Sequence, residues 1–146
     1  MLTNEELMAE WVEDCKIDQT RLSERMSSHP IRHSKYLTYL QTYKIKLRTL
    51  SLQYQKRRQI MTKYYNGEMD EDELLGYKLK QYLYKKPLRS ELETLLDADE
   101  SLQLIKEKIL YVETMVQACE SILKDIGNQY YLFKSIVDQN KFLSGV

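Results

Sequence analysis

The stretch that decides the fold is Leu102 to Val137, LQLIKEKILYVETMVQACESILKDIGNQYYLFKSIV. Apolar or aromatic residues recur in it at Leu102, Ile105, Ile109, Val112, Val116, Cys119, Leu123, Ile126, Tyr130, Phe133 and Val137, in steps of three and four. That period keeps one side of an α-helix apolar along its whole length, as a coiled-coil seam requires. A second stripe, Leu104, Tyr111, Met115, Ala118 and Ile122, runs beside the first. A helix apolar on two adjoining faces needs neighbours on both sides, so a bundle or ring of several helices suits it better than a pair. Gly127 either bends this helix or separates two helices in line.

Upstream, no Gly or Pro occurs from Ile31 to Asn66, Pro30 is placed to open a helix, and Gly67 to close it. The expected helix, about 31–66, is roughly 54 Å long at about 1.5 Å per residue. Its own seam is Tyr36, Leu40, Tyr43, Leu47, Leu50, Tyr54, Arg57, Met61 and Tyr64. Tyr36, Tyr43 and Tyr54 hold the period and are assigned to the core. Arg57 is expected to mark the end of tight helix contact. Thr3-Asn4-Glu5-Glu6 has capping-box spacing and opens a short helix to about Asp14, carrying Leu7, Met8, Trp11 and Val12. Ile17 to Thr20 interrupts it, and Asp18 or Thr20 caps a second short helix to about Ser28. After the acidic turn Glu68–Glu73, Asp70 is expected to cap a helix that Pro87 closes; Ser90 to Glu93 begins another, and Asp97-Ala98-Asp99 is a break or a recap. The fold class is therefore all-α: a long basic helix with shorter ones, and C-terminal heptad helices forming an oligomeric bundle or barrel. Residues 1–97 read as an N-terminal helical region built on the long basic helix about 31–66, and 98–146 as a C-terminal helical oligomerisation region.

Charge is segregated along the chain. Residues 25–67 carry ten Lys or Arg and no acid, although the whole chain sums to zero. Such density attracts a polyanion, and phosphate backbones are the usual one. Aromatic residues interleave with the cations: Tyr36, Tyr39, Tyr43, Lys44, Lys46, Arg48, Tyr54, Lys56, Arg57, Arg58, Lys63, Tyr64 and Tyr65. Cations along a backbone with rings under the bases hold single-stranded nucleic acid without reading its sequence. From these, Lys44, Lys46, Arg48, Lys56, Arg57, Arg58, Lys63, Tyr64 and Tyr65 form the candidate nucleic-acid-binding set. The eleven seam residues from Leu102 to Val137 form the candidate oligomerisation set. Gly76 to Arg89 repeats the basic and aromatic chemistry with five cations, three tyrosines and no acid. The competing reading is a coiled-coil adaptor whose basic helix binds an acidic protein.

Other chemistries find little support. The acidic run Glu68–Glu73 lacks the alternating ligands of a calcium loop, and Pro30 separates His29 from His33, so no metal and no cofactor is expected. There is no Gly-rich phosphate loop and no nucleophile with a partner base, so the chain reads as a binding protein and not an enzyme. Cys15 and Cys119 stand far apart, which suits a reducing compartment, and no apolar run is long enough for a leader or a membrane span. A soluble, intracellular protein of the cytoplasm is expected.

Several segments, in order, carry a resemblance: Ile17-Asp18-Gln19-Thr20-Arg21-Leu22, Ser34-Lys35-Tyr36-Leu37, Tyr64-Tyr65-Asn66-Gly67 with the turn Asp70 to Glu73, Leu96-Asp97-Ala98-Asp99, and the run from Ile122 to Phe142. Together they resemble the recombination mediator proteins of tailed phages, the UvsY type. The resemblance implies an all-helical protein assembled into a hexamer or heptamer ring through its C-terminal helices. It further implies sequence-independent binding of single-stranded DNA, contacts with a RecA-like recombinase and with the phage single-strand-binding protein, and loading of the recombinase onto coated DNA. It points to Lys56, Arg57, Arg58 and Lys63, ahead of the paired tyrosines, as the DNA contacts.

Overall fold

In the computed structural model, which describes residues 1–145, all regular structure is helical and no strand occurs among the described residues. The Thr3 hydroxyl accepts from the Glu6 amide at 3.2 Å, and the Glu6 carboxylate takes the Thr3 amide at 2.9 Å. This reciprocal cap satisfies two orphan donors and starts α1, Asn4–Cys15. Asp18 accepts from the Thr20 amide and hydroxyl, capping a 3-10 turn, Gln19–Arg21, that leads into α2, Leu22–Ser27. The long helix α3 spans His29–Tyr65, beginning one residue ahead of Pro30, and not 31–66. Its end is a left-handed stop: Gly67 has φ +70°, its amide reaches the Tyr64 carbonyl, and the Glu68 amide reaches that of Lys63.

The helix expected from Asp70 to Pro87 is mostly absent. Asp70 does cap α4, Glu71–Gly76, but that helix closes when Lys78 takes φ 57°. The Lys78 and Leu79 amides then turn back onto the carbonyls of Leu75 and Leu74. An irregular strap follows, and Leu79 within it packs on the core cluster of Met61, Leu96 and Leu102. Burial of Leu79 outweighs helix continuation through Gly76, a poor helix former. Helix α5, Arg89–Ala98, is followed at Asp99 by a break and a recap in one. Asp99 is extended, and its Oδ1 accepts from the Leu102 amide at 3.0 Å and from the Ser101 hydroxyl. Helix α6 then runs unbroken over Glu100–Leu143, straight through Gly127.

Packing divides the chain into two compact units, residues 1–44 with the chain from Glu113 onward, and residues 45–112. In the first, Trp11 meets Tyr36 edge-on at 5.5 Å, and His29 meets Phe133 edge-on at 6.0 Å. Lys35 bridges Glu10 at 3.1 Å and Asp14 at 2.8 Å, the Tyr36 hydroxyl donates to Asp14, and that of Tyr39 donates to Glu10. Of the α1 residues expected on one apolar face, Leu7 and Trp11 are buried while Met8 and Val12 are exposed. Arg32 is buried, but its guanidinium donates to the Ser28 hydroxyl and the Arg25 carbonyl, and Arg25 donates to the Asp14 carbonyl. These bonds offset part of the cost of burying the charge.

The second unit is built on Met61, Leu96 and Leu102, with Tyr54, Ile60, Tyr64, Tyr65, Leu79 and Leu92 packed around them. Tight helix contact therefore does not end at Arg57, as the seam suggested. Arg57 is only half exposed and donates from Nε to the Ser101 hydroxyl at 2.9 Å, and Met61 beyond it is buried. A long side chain can lay its stem on the seam and take its charge to a polar edge.

Candidate nucleic-acid interface

The outer side of α3 in the second unit carries a shallow groove lined by Gln55, Arg58, Gln59, Thr62, Lys63 and Glu68. The α3 members follow helical spacing on the side away from Met61 and are neutral or cationic, while Glu68 comes from beyond the helix end. Three of them, Gln55, Gln59 and Thr62, escaped sequence reasoning. Their spacing of three and four relative to Arg58 and Lys63 was the available signal.

The predicted DNA-binding cations fall into three environments. Lys46, Arg48 and Lys56 are exposed, and Lys44 sits loosely 3.8 Å from Glu120. Arg58 and Lys63 are committed to carboxylates. Arg58 holds both oxygens of Glu93, at 2.7 and 2.8 Å, and Lys63 reaches Glu73 at 2.5 Å. Those hydrogen bonds raise the pKa of both groups, so each stays cationic. The Arg58–Glu93 pair is open to solvent, and exposed pairs contribute about 0.2–1 kcal/mol. Arg57 is held inward by Ser101.

Tyr64 and Tyr65 are half-buried anchors. The Tyr64 hydroxyl donates to the Lys80 carbonyl at 2.8 Å, and that of Tyr65 to Asp99 at 2.7 Å. Burial and the Asp99 bond push the Tyr65 phenol well above its ordinary pKa. Tyr82 of the strap touches both rings, at 5.5 and 5.3 Å, and Tyr84 at 5.2 Å.

The α6 seam lies mostly within the chain itself. Leu102, Val112, Val116, Cys119, Ile126 and Phe133 are buried, Ile105, Ile109, Leu123 and Val137 are half-buried, and Tyr130 is exposed. What α6 leaves on the surface is another apolar set, including Leu104, Tyr131, Leu132, Phe142 and Leu143. Among the described residues, no group of side chains is placed to hold a metal ion, and no helix is long and apolar enough to cross a membrane.

Against known families, residues 10–146 match the one described as "Recombination, repair and ssDNA binding protein UvsY". The chain belongs to the UvsY family. UvsY of bacteriophage T4, a recombination mediator protein, has the same fold in several crystal lattices. In lattice type II the TM-score is 0.86 at 22% identity, covering 99% of each chain. In lattice type IV it is 0.86 at 22% identity, covering 97% of this chain and 99% of that one. In lattice type I it is 0.83 at 23% identity, covering 93% and 97%. Among curated proteins the comparison finds no match. UvsY membership places the chain with recombination and repair proteins, and its all-helical architecture agrees.

Proposed function

We propose that this UvsY-family chain is a non-enzymatic recombination mediator. It binds single-stranded DNA without sequence preference and promotes loading of a RecA-like recombinase onto DNA coated by single-strand-binding protein. The observation that carries this reading is the row of cations along α3, with Lys46, Arg48 and Lys56 exposed, Arg58 and Lys63 half-exposed on carboxylates, and a groove beside its last turns. Cations spread along a helix meet phosphates at many points and read no bases. Assembly into a six- or seven-membered ring would repeat the rod, and one strand touching several copies gains affinity through effective concentration. The exposed apolar residues of α6 supply a surface for such self-association, because the seam beside them is largely occupied by the chain's own helices.

The test is recombinase filament nucleation on single-stranded DNA precoated with the single-strand-binding protein. The chain should shorten the lag, and Lys56→Ala, Arg58→Ala and Lys63→Ala combined should lengthen it again. No shortening by the unmodified chain would exclude the mediator role. One observation favours a second reading. Arg58 and Lys63 already hold carboxylates, so this face also suits an acidic protein, as in a coiled-coil adaptor. An adaptor would bind no oligonucleotide.

A further inference from the structure

The strap between α4 and α5 leaves large side chains in solvent within a segment that has no acid from Gly76 to Arg89. Leu83, Tyr84 and Leu88 are exposed by 83%, 78% and 70%. Tyr84 is not loose, however. It stands at the outer end of a chain of rings: Tyr65, bonded to buried Asp99, touches Tyr82, and Tyr82 touches Tyr84 at 5.2 Å and 55°. The Tyr64 hydroxyl also pins the strap backbone at Lys80. Tyr84 lines an open, mainly apolar recess together with Tyr82, Lys85, Pro87, Glu91, Thr94 and Leu95. The Glu91 carboxylate is already engaged by the Leu88 amide at 3.0 Å. Lys85 is exposed and lines the same recess as Tyr84, Lys80 is exposed four residues earlier in the strap, and Lys86 lies 3.9 Å from Glu68.

A ring held by other rings, open on its remaining surface and flanked by cations, has the chemistry of a base platform. Stacking needs only a π-face, and every nucleobase has one. The flanking lysines match the phosphates on either side of a stacked base. We propose that Tyr84 is a stacking platform for one nucleobase of a single strand whose adjoining phosphates lie on Lys80 and Lys85. The inference rests on the DNA-binding reading above and adds a base contact to what is otherwise phosphate binding. Tyr64 and Tyr65 then serve as the foundation of the platform and are not themselves stacked on.

The experiment compares oligo-dT with an abasic oligonucleotide of equal length, which keeps the phosphates and removes the bases. The unmodified chain should bind oligo-dT about tenfold more tightly, towards the lower end of what one base-on-aromatic stack contributes. Tyr84→Ala should abolish that preference while leaving abasic affinity unchanged, and Tyr84→Phe should retain it. Because Tyr84 is mostly solvated, the alanine variant should keep its helical circular dichroism. Equal binding of both oligonucleotides by the unmodified chain, or a preference that survives in Tyr84→Ala, overturns the platform and leaves phosphate binding standing. Binding of neither oligonucleotide overturns the DNA-binding reading, and the platform with it.

Discussion

The Tyr65 hydroxyl donates to Asp99 Oδ2 at 2.7 Å, joining the last turn of α3 to the residue that caps α6. Asp99 is buried, which pushes its carboxyl up, but hydrogen bonds from Ser101, Tyr65 and the Leu102 amide together hold it below its ordinary 3.8. A folded-state pKa below the unfolded one means stability that is fully present above about pH 4 and lost as pH falls through the folded value. Tyr65→Phe should cost about 1–2 kcal/mol at neutral pH. In urea titrations, the stability difference between the unmodified chain and Asp99→Asn should shrink below about pH 4. A difference constant down to pH 2 would mean that Asp99 is not held in its charged form.

Lys56 and Arg57 are neighbours with separate tasks. Lys56 is exposed, while Arg57 spends its Nε on Ser101. Lys56→Ala should lower the salt slope of single-strand binding by about 0.7, the share of one phosphate contact, with the melting temperature unchanged. Arg57→Ala should instead cost about 1 kcal/mol of stability. Fluorescence anisotropy across salt concentrations and thermal melts separate the two effects.

The two sides of α6 should respond differently to the same charge. Val116 is buried, so Val116→Asp places an unpaired carboxylate in the core and should cost about 4 kcal/mol or more. Leu132 is 47% exposed, so Leu132→Asp should stay within about 0.5 kcal/mol yet reduce the mass of any assembly. Light scattering and melts on both variants provide the check. An assembly unaffected by Leu132→Asp would move self-association off this face.

Lys78 carries the left-handed conformation that ends α4, with φ 57°. Lys78→Gly relieves that strain and should raise stability by about 1 kcal/mol, net of the extra freedom of glycine in the unfolded chain. Chemical denaturation measures it, and a loss of stability would show that Lys78 makes compensating contacts.

The helices themselves were legible because the apolar steps of three and four run for so long. Leu102 to Val137 is continuous in sequence and continuous in structure, and Gly127 does not interrupt it. What a heptad cannot show is whose helix covers it, and the seam from Leu102 to Phe133 is buried largely by the chain's own segments. Arg57 looked like the end of packing because its charge is visible in sequence while its flexible stem and the Ser101 hydroxyl opposite are not. The strap was missed for a related reason. Lysine carries no signal for a left-handed turn, and the inward pull on Leu79 comes from Met61, Leu96 and Leu102, all distant in sequence. Of the candidate site, the cations were readable by type alone. Their division into free Lys56, carboxylate-bound Arg58 and Lys63, and inward Arg57 depends on partners on other helices.

The most direct measurement is the affinity for oligo-dT of increasing length, taken from low to high salt. A cationic rod gripping a single strand at several phosphates gives affinity that rises with length and falls steeply with salt, with a log–log slope of magnitude about 0.7 per phosphate contacted. Affinity independent of both length and salt, or no binding in dilute buffer, would contradict it.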